Sequence, residues 1–121
     1  MLTLRREQVE ALSESALKAF EKLMMPHLKK FYPEFVEMAG PAKVKEFIRL
    51  GVKRAASYYI TAKKDVSRYI DLMASLDADF DKNPDLPWAA EILRTRNPAD
   101  TRIKILIETA AKHLKGASSN G

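Results

Sequence analysis

Residues 41–59, PAKVKEFIRLGVKRAASYY, carry the pattern that decides the fold. Apolar side chains return there at intervals of three and four residues, which places them on one face of an α-helix. These side chains are Val44, Phe47, Ile48, Val52, Ala55 and Tyr59. Pro41 suits a first helical turn because that position needs no amide donor, and Gly51 permits another helix to approach closely. The stretch therefore predicts an amphipathic helix packed against a neighbour.

The same spacing recurs along the rest of the 121-residue chain, and no sustained two-residue alternation indicates a strand. We therefore predict an all-α fold, a single-domain bundle of about five helices over residues 1–116, followed by a frayed tail at 117–121. The first helix is predicted to run from about Arg5 to Lys30. It should kink at Pro26, because a proline removes an amide donor from the helix interior.

Prolines and capping residues predict where the other elements begin and end. Residues 33–39 read as a short turn, and Thr61 is expected to cap a third helix through its hydroxyl. An acidic loop follows at 77–86, and Pro87 begins a short fourth helix. The last helix should end at Gly116. Its inward stripe is predicted to be Ile103, Leu106, Ile107, Ala110 and Leu114.

The net charge of +5 is distributed unevenly along the chain. Residues 40–64 carry a net charge of +6, and residues 65–86, which follow directly, carry −4. A basic segment next to an acidic one predicts either neutralisation within the fold or two charged poles that attract a partner. On the first interpretation, Asp71 pairs with an arginine of the second helix.

The acidic loop has the start of a calcium-binding pattern, because Asp77, Asp79 and Asp81 stand at alternate positions. A calcium loop of that type also needs glycine at its sixth position and a bidentate glutamate at its twelfth. This chain has Lys82 and Trp88 at those positions. We therefore expect no metal in the loop and interpret its carboxylates as solvated helix caps that face the basic second helix.

Patterns typical of other reactive sites are also missing from the sequence. The chain has no cysteine, which excludes disulfides, thiolate metal sites and cysteine nucleophiles. Its two histidines, His27 and His113, lack a carboxylate at the helical spacing of a zinc site and are expected on the surface. No serine stands on a strand-to-helix elbow, and no glycine-rich loop could hold a phosphate. We therefore expect neither a cofactor nor an enzymatic activity.

The distribution of apolar residues bears on the compartment. No apolar run approaches the roughly 20 residues that cross a bilayer, so we expect no membrane-spanning segment. A chain without cysteine forms no disulfide and is at home in the reducing cytoplasm. We therefore expect a cytoplasmic location.

Three basic residues, Lys45, Arg49 and Lys53, are spaced four residues apart and line one side of the second helix. Such a stripe could bind phosphates, as in a nucleic-acid-binding module. The helix has no asparagine or glutamine, however, and its aromatic residues fall on the apolar face, so nothing is placed to recognise bases. A solvated face is favoured, and nucleic-acid binding is kept as an alternative.

A series of short motifs in the middle of the chain resembles a known group of proteins. The motifs are Gly51-Val52-Lys53-Arg54-Ala55, Tyr58, Ile60-Thr61, Asp65-Val66, Tyr69-Ile70-Asp71-Leu72-Met73, Phe80-Asp81, Pro84 and Leu86-Pro87-Trp88-Ala89. Over about residues 1–95 the chain is similar to small, uncharacterised all-helical bacterial proteins associated with type VI secretion gene neighbourhoods, beside spike and effector genes. The resemblance implies an accessory role and supplies no catalytic residue. The chain departs from the group at Tyr59, where the resemblance leads us to expect glycine.

The sequence therefore predicts a protein that acts by binding another protein, as an adaptor or chaperone for a type VI secretion effector or spike component. The alternatives are an immunity protein that neutralises a cognate toxin and the nucleic-acid-binding module. In the predicted protein-binding surface, charged residues attract the partner and an aromatic residue stabilises the complex by an apolar contact. Its residues are Lys45, Arg49, Lys53 and Arg54, which we call the basic edge, with Asp79, Asp81 and Trp88. A homodimer is left open.

Overall fold

The computed structural model describes residues 13–120, and for 117–120 the course of the backbone alone. Within this range the chain forms six α-helices and no strand, so the predicted all-α bundle is confirmed. The helices are α1 (Glu14–Phe31), α2 (Pro33–Ala39), α3 (Pro41–Ser57), α4 (Lys63–Ser75), α5 (Pro87–Leu93) and α6 (Ala99–Asn120). The described part of the chain thus has one helix more than the predicted five.

The additional helix is α2, where the sequence predicts a turn. Pro33 occupies its first turn, where the missing amide donor costs nothing. Gly40 ends the helix with a φ of 83°, and its amide donates to the carbonyl of Val36 at 2.9 Å. The helix stays in place because Val36 is buried and Phe35 packs on Phe47 of α3, with ring centroids 4.6 Å apart.

Helix α1 contains Pro26 and continues to Phe31, so the proline does not end it. The predicted kink at Pro26 stays a prediction, and the predicted start near Arg5 lies outside the described residues. The described helix begins after Ser13, whose Oγ accepts a hydrogen bond of 3.1 Å from the amide of Ala16. This is the usual way in which a serine satisfies a free amide in the first turn.

The helices enclose one hydrophobic core. Helix α3 packs most extensively on α4, α1 lies against α3, and α6 covers α4 and α5. The largest fully buried side chains are Tyr69, Phe80, Leu28, Ile48, Ile60, Ile70, Met73, Ile103, Leu106 and Val44. Four of them, Val44, Ile48, Ile103 and Leu106, belong to the helical stripes predicted above for α3 and α6, because the apolar face of each helix is the face that the other helices cover.

The chain turns sharply between α3 and α4, and two predictions fail there. Tyr59 is predicted in the core, but its side chain is 68% exposed, because a φ of 62° takes it off the helical register that ends at Ser57. Ile60 fills the core position instead. Thr61 does not cap α4, since Ala62 precedes the helix and no side chain bonds to its first turn.

Helix α6 does not end at Gly116 but continues to Asn120. The glycine lacks the positive φ of a helix-ending residue, a conformation that Gly40 adopts at the end of α2. A glycine within a helix costs roughly 1 kcal/mol relative to alanine, which a long helix tolerates. None of the helices described between residues 13 and 120 is long and apolar enough to span a membrane.

Candidate functional site

The basic edge lies on α3, where the four-residue spacing puts Lys45, Arg49 and Lys53 on successive turns of one side. Lys45 and Lys53 are exposed, and neither forms a hydrogen bond or ion pair with any described residue. They are therefore available to an incoming molecule. The two arginines of the edge are in a different situation, because each is bonded to carboxylates of this chain.

Arg49 connects α3 to α1. Its Nε donates a hydrogen bond of 2.6 Å to Glu21 Oε2, and its Nη2 donates one of 2.6 Å to Glu14 Oε1. Glu21 is buried, so its carboxylate depends on this guanidinium for neutralisation. The hydrogen bonds to Glu21 and Glu14 raise the pKa of Arg49. Arg49 is thus part of the fold rather than a free contact residue.

Arg54 is bonded to the acidic loop. It pairs with Asp79 and donates from Nη1 to the carbonyl of Ala78 at 2.9 Å and to Asp81 Oδ1 at 3.4 Å. Tyr58 donates from Oη to Asp81 Oδ2 at 2.6 Å. We call Arg54, Tyr58, Asp79 and Asp81 the acidic knot. Through Arg54, part of the opposite charge of α3 and the loop is neutralised within the fold, as the first interpretation of the charge pattern expects, whereas Lys45 and Lys53 have no such partner among the described residues.

The members of the acidic knot differ in burial. Asp81 is 4% exposed, whereas the side chain of Asp79 is 64% exposed. Burial, together with the hydrogen bond to Asp81, raises the pKa of Tyr58 to about 12. Tyr69 lies beside the knot, fully buried, and its hydroxyl has no hydrogen-bond partner among the described residues. Its burial also raises its pKa.

Trp88, the aromatic residue of the predicted surface, contacts α6. It is half-buried on α5, and its ring packs at a tilt on His113 of α6, with centroids 5.9 Å apart. No hydrogen bond, ion pair or ring contact within residues 13–116 joins it to the acidic knot. The residues of the predicted surface thus differ in their local partners: Lys45 and Lys53 have none among the described residues, the acidic knot is bonded within the fold, and Trp88 packs on α6.

A groove that the sequence did not reveal runs between α4 and α6. Its lining residues are Tyr32, Arg68, Asp71, Leu72, Ser75, Ile107, Ala110, Ala111 and Leu114. We call it the α4–α6 groove. Ile107 and Leu114, predicted to face inwards, are 38% and 43% exposed on its α6 side. Large apolar side chains beside a groove are typical of surfaces that bind other proteins.

Most polar groups of the groove are bonded to each other. His27 of α1 bonds through Nε2 to Asp71 Oδ1 at 2.8 Å, and the hydroxyls of Tyr32 and Ser75 are 2.9 Å apart. Burial raises the pKa of Asp71, and the hydrogen bond from His27 opposes this. The predicted pairing of Asp71 with an arginine of α3 is wrong, because Asp71 faces α1. His27 is accordingly half-buried rather than a surface residue.

Arg68 is the exception in the groove. Its side chain is partly buried, and it forms no hydrogen bond or ion pair with any residue of the described range. A guanidinium in that position has lost part of its hydration without gaining a carboxylate. It is therefore a group to which a binding partner could add a strong, charge-assisted bond.

Among residues 13–116, no three histidine, cysteine, aspartate or glutamate side chains are grouped so that they could hold a metal ion. A scan against protein-family models, a search of curated proteins and a search of solved structures found no match to the chain. The structural evidence on function is therefore the chemistry of the surface.

Proposed function

We propose that this chain is a non-enzymatic, cytoplasmic protein-binding accessory protein, an adaptor or chaperone for an effector or spike component of type VI secretion. The link to type VI secretion comes from the sequence resemblance over about residues 1–95. The binding role is supported by the physical character of the surface.

The α4–α6 groove is the observation that carries the binding role. Ile107 and Leu114 remain substantially exposed although each belongs to the apolar stripe of α6. Protein interfaces typically have such an apolar centre, with a few polar groups that fix the orientation of the partner. Tyr32, Arg68 and Ser75 supply polar groups of this kind in the groove.

The lysines of the basic edge have a supporting part in this proposal. Lys45 and Lys53 are free of ion pairs with described residues, so their charge can steer an acidic partner towards the bundle. Arg49 and Arg54 hold α1 and the acidic loop in place. Variants of the arginines would therefore perturb the fold, and only the lysines can test the contribution of the edge to binding.

Binding can be tested by co-expression of the tagged chain with the adjacent effector and spike proteins, followed by affinity purification. The variant Ile107→Asp with Leu114→Asp should abolish co-purification, because it places charges in the apolar centre. The variant Lys45→Glu with Lys53→Glu should slow association and weaken its dependence on salt. Lys43→Glu is a matched control, since Lys43 is exposed on another side of α3 and should change neither. Failure of the unaltered chain to retain either protein would contradict the proposal.

An immunity protein is the alternative that uses the same kind of surface. It would cover the active site of a toxin, whereas a chaperone would bind an effector without blocking its activity. Expression of the neighbouring toxin in cells with and without this chain separates the two. Rescue of growth would favour immunity, and continued toxicity together with retained binding would favour the adaptor.

One observation keeps the nucleic-acid-binding alternative open to test. Lys18 and Lys22 of α1 line a shallow groove together with Lys45 of α3, although Glu21 and Glu46 line it as well. Phosphate binding there would make retention of DNA or RNA fall steeply as salt rises. Retention lost in Lys18→Glu with Lys45→Glu, with effector binding unchanged, would favour this alternative over the adaptor.

A further inference from the structure

We infer that the α4–α6 groove binds an amphipathic helix of the partner protein, and that a carboxylate of this helix pairs with Arg68. The inference rests on the proposed function and adds to it the chemistry of the segment that is recognised. It follows from three features of the groove. These are the spacing of its apolar residues, the small residues along α6, and the fact that its polar groups other than Arg68 are bonded to neighbours.

The spacing of the exposed apolar residues suits a helical partner. Ile107 and Leu114 are seven residues apart on α6, which is two turns, or about 10 Å along the helix axis. A second helix lying along α6 repeats its own apolar residues at this interval. Ala110 and Ala111 stand between the two, so that the backbone of such a helix can come close.

The polar groups of the groove specify the charge of the partner. Asp71 is bonded to His27, and Tyr32 and Ser75 are bonded to each other. Within the described residues this leaves Arg68 as the charged group of the groove without a partner. A carboxylate placed there would form a hydrogen-bonded ion pair in a site that the bound helix closes to water.

The charged residues around the groove also favour a negatively charged partner. Lys64 is one turn before Arg68 on α4. On α6, Lys104 is one turn from the lining residue Ile107, and Lys115 is one turn from the lining residue Ala111. Glu108 is the acidic residue on this part of α6. A second copy of this chain would bring two basic rims together, which is unfavourable. An acidic helix from another protein meets no such repulsion.

The segment that enters the groove can be identified by photo-crosslinking. The full chain carries a photoreactive phenylalanine derivative at position 107 and is co-expressed with the adjacent effector and spike proteins. Mass spectrometry then identifies the crosslinked peptide. We expect a segment with apolar residues at helical spacing and an aspartate or glutamate among them. A crosslink to a second copy of this chain, or to a segment without an acidic residue, would overturn the inference.

Charge reversal then tests the ion pair. Arg68→Glu should weaken the affinity for the partner at least about 30-fold, since it replaces an attraction in a desolvated site by a repulsion. Replacing the identified acidic residue by lysine should restore binding to the Arg68→Glu variant. Lys43→Glu, at an exposed lysine of α3 that does not line the groove, is the matched control and should change affinity less than about threefold.

The outcomes separate this inference from the proposed function. Arg68 has no hydrogen bond or ion pair to lose among the described residues, so Arg68→Ala, which adds no carboxylate near Asp65 and Asp71, should keep the helicity and melting temperature of the parent chain and still weaken binding. If the parent chain binds and Arg68→Glu binds equally well, the inference is wrong and the adaptor function stands. If the parent chain binds neither the effector nor the spike protein, both are wrong.

Discussion

Gly51 of α3 and Ile70 of α4 are in direct contact at the point where the two helices cross. A Cβ at position 51 would lie closer to Ile70 Cγ1 than two non-bonded carbon atoms approach each other in proteins, and Met73 Sδ is also near. Ile70 and Met73 are 0% and 1% exposed, so neither can move into solvent to make room. The contact therefore depends on the absence of a side chain at Gly51.

Gly51→Ala should lower the free energy of unfolding by about 1–2 kcal/mol. Overpacking a filled core costs about 1–3 kcal/mol, and the better helix propensity of alanine offsets up to about 1 kcal/mol of this. Gly116→Ala is the matched control, because among the described residues outside its own helical turn no atom lies within 4 Å of the added Cβ, so the propensity gain dominates. Urea unfolding of both variants measures the difference. Equal stabilisation by the two substitutions would show that α3 and α4 do not meet at Gly51.

Tyr59→Gly should raise the free energy of unfolding by about 0.5–1 kcal/mol. Tyr59 has a φ of 62°, a conformation that costs a non-glycine residue roughly 1–2 kcal/mol, partly offset by the greater freedom of glycine in the unfolded chain. Its side chain is 68% exposed, so little packing is lost. Tyr59→Ala should leave stability almost unchanged because it keeps the strained backbone. Thermal unfolding compares them, and a glycine variant no more stable than the alanine variant would contradict the account.

The sequence was informative about the fold wherever a pattern extended over several turns. Helix α3 lies at its predicted place because its apolar face repeats over five turns and Pro41 marks its start. Helix α2 was missed because seven residues give too short a pattern, and its stability comes from the contact of Phe35 with Phe47 of another helix. Tyr59 was misplaced because a single backbone angle breaks the helical period.

The candidate site was less predictable than the fold, because it depends on which side chains meet. The sequence showed a basic segment and an acidic one, but not that Arg49 and Arg54 are bonded to carboxylates while Lys45 and Lys53 are free of them. It also could not show that α6 carries a wider apolar stripe than its neighbours cover. Ile107 is partly exposed for that reason, and Ile103 on the same stripe is buried.

Asp81→Ala should destabilise the protein far more than Asp79→Ala. Asp81 is buried and accepts hydrogen bonds from Tyr58 and Arg54, so its loss leaves the Tyr58 hydroxyl without its acceptor and removes one of the carboxylates beside the Arg54 guanidinium. Removing such a partner costs about 2–4 kcal/mol. Asp79 is 64% exposed, and an exposed ion pair contributes less than about 1 kcal/mol. Urea midpoints for the two variants test this, and equal losses would exclude a special role of Asp81.

Alkaline pH should weaken the acidic knot through Tyr58. The pKa of Tyr58 is raised to about 12, whereas an unfolded tyrosine titrates near 10. Between these values the unfolded chain releases the proton and the folded chain keeps it. The stabilisation by the neutral hydroxyl is therefore complete below about pH 10 and is lost as the pH rises through about 12.

Comparison with Tyr58→Phe isolates this contribution from the other groups that titrate in the same range. The phenylalanine variant should be less stable than the parent chain at pH 8, because Asp81 loses the 2.6 Å hydrogen bond from Tyr58. The stability difference should shrink steadily as the pH is raised from 10 to 11, measured by urea unfolding at each pH. Tyr59→Phe is the control, since this exposed hydroxyl has no hydrogen bond to a described residue, and its difference should stay near zero throughout. A Tyr58→Phe difference that is constant with pH would mean that the hydroxyl is not held by Asp81 in the folded protein.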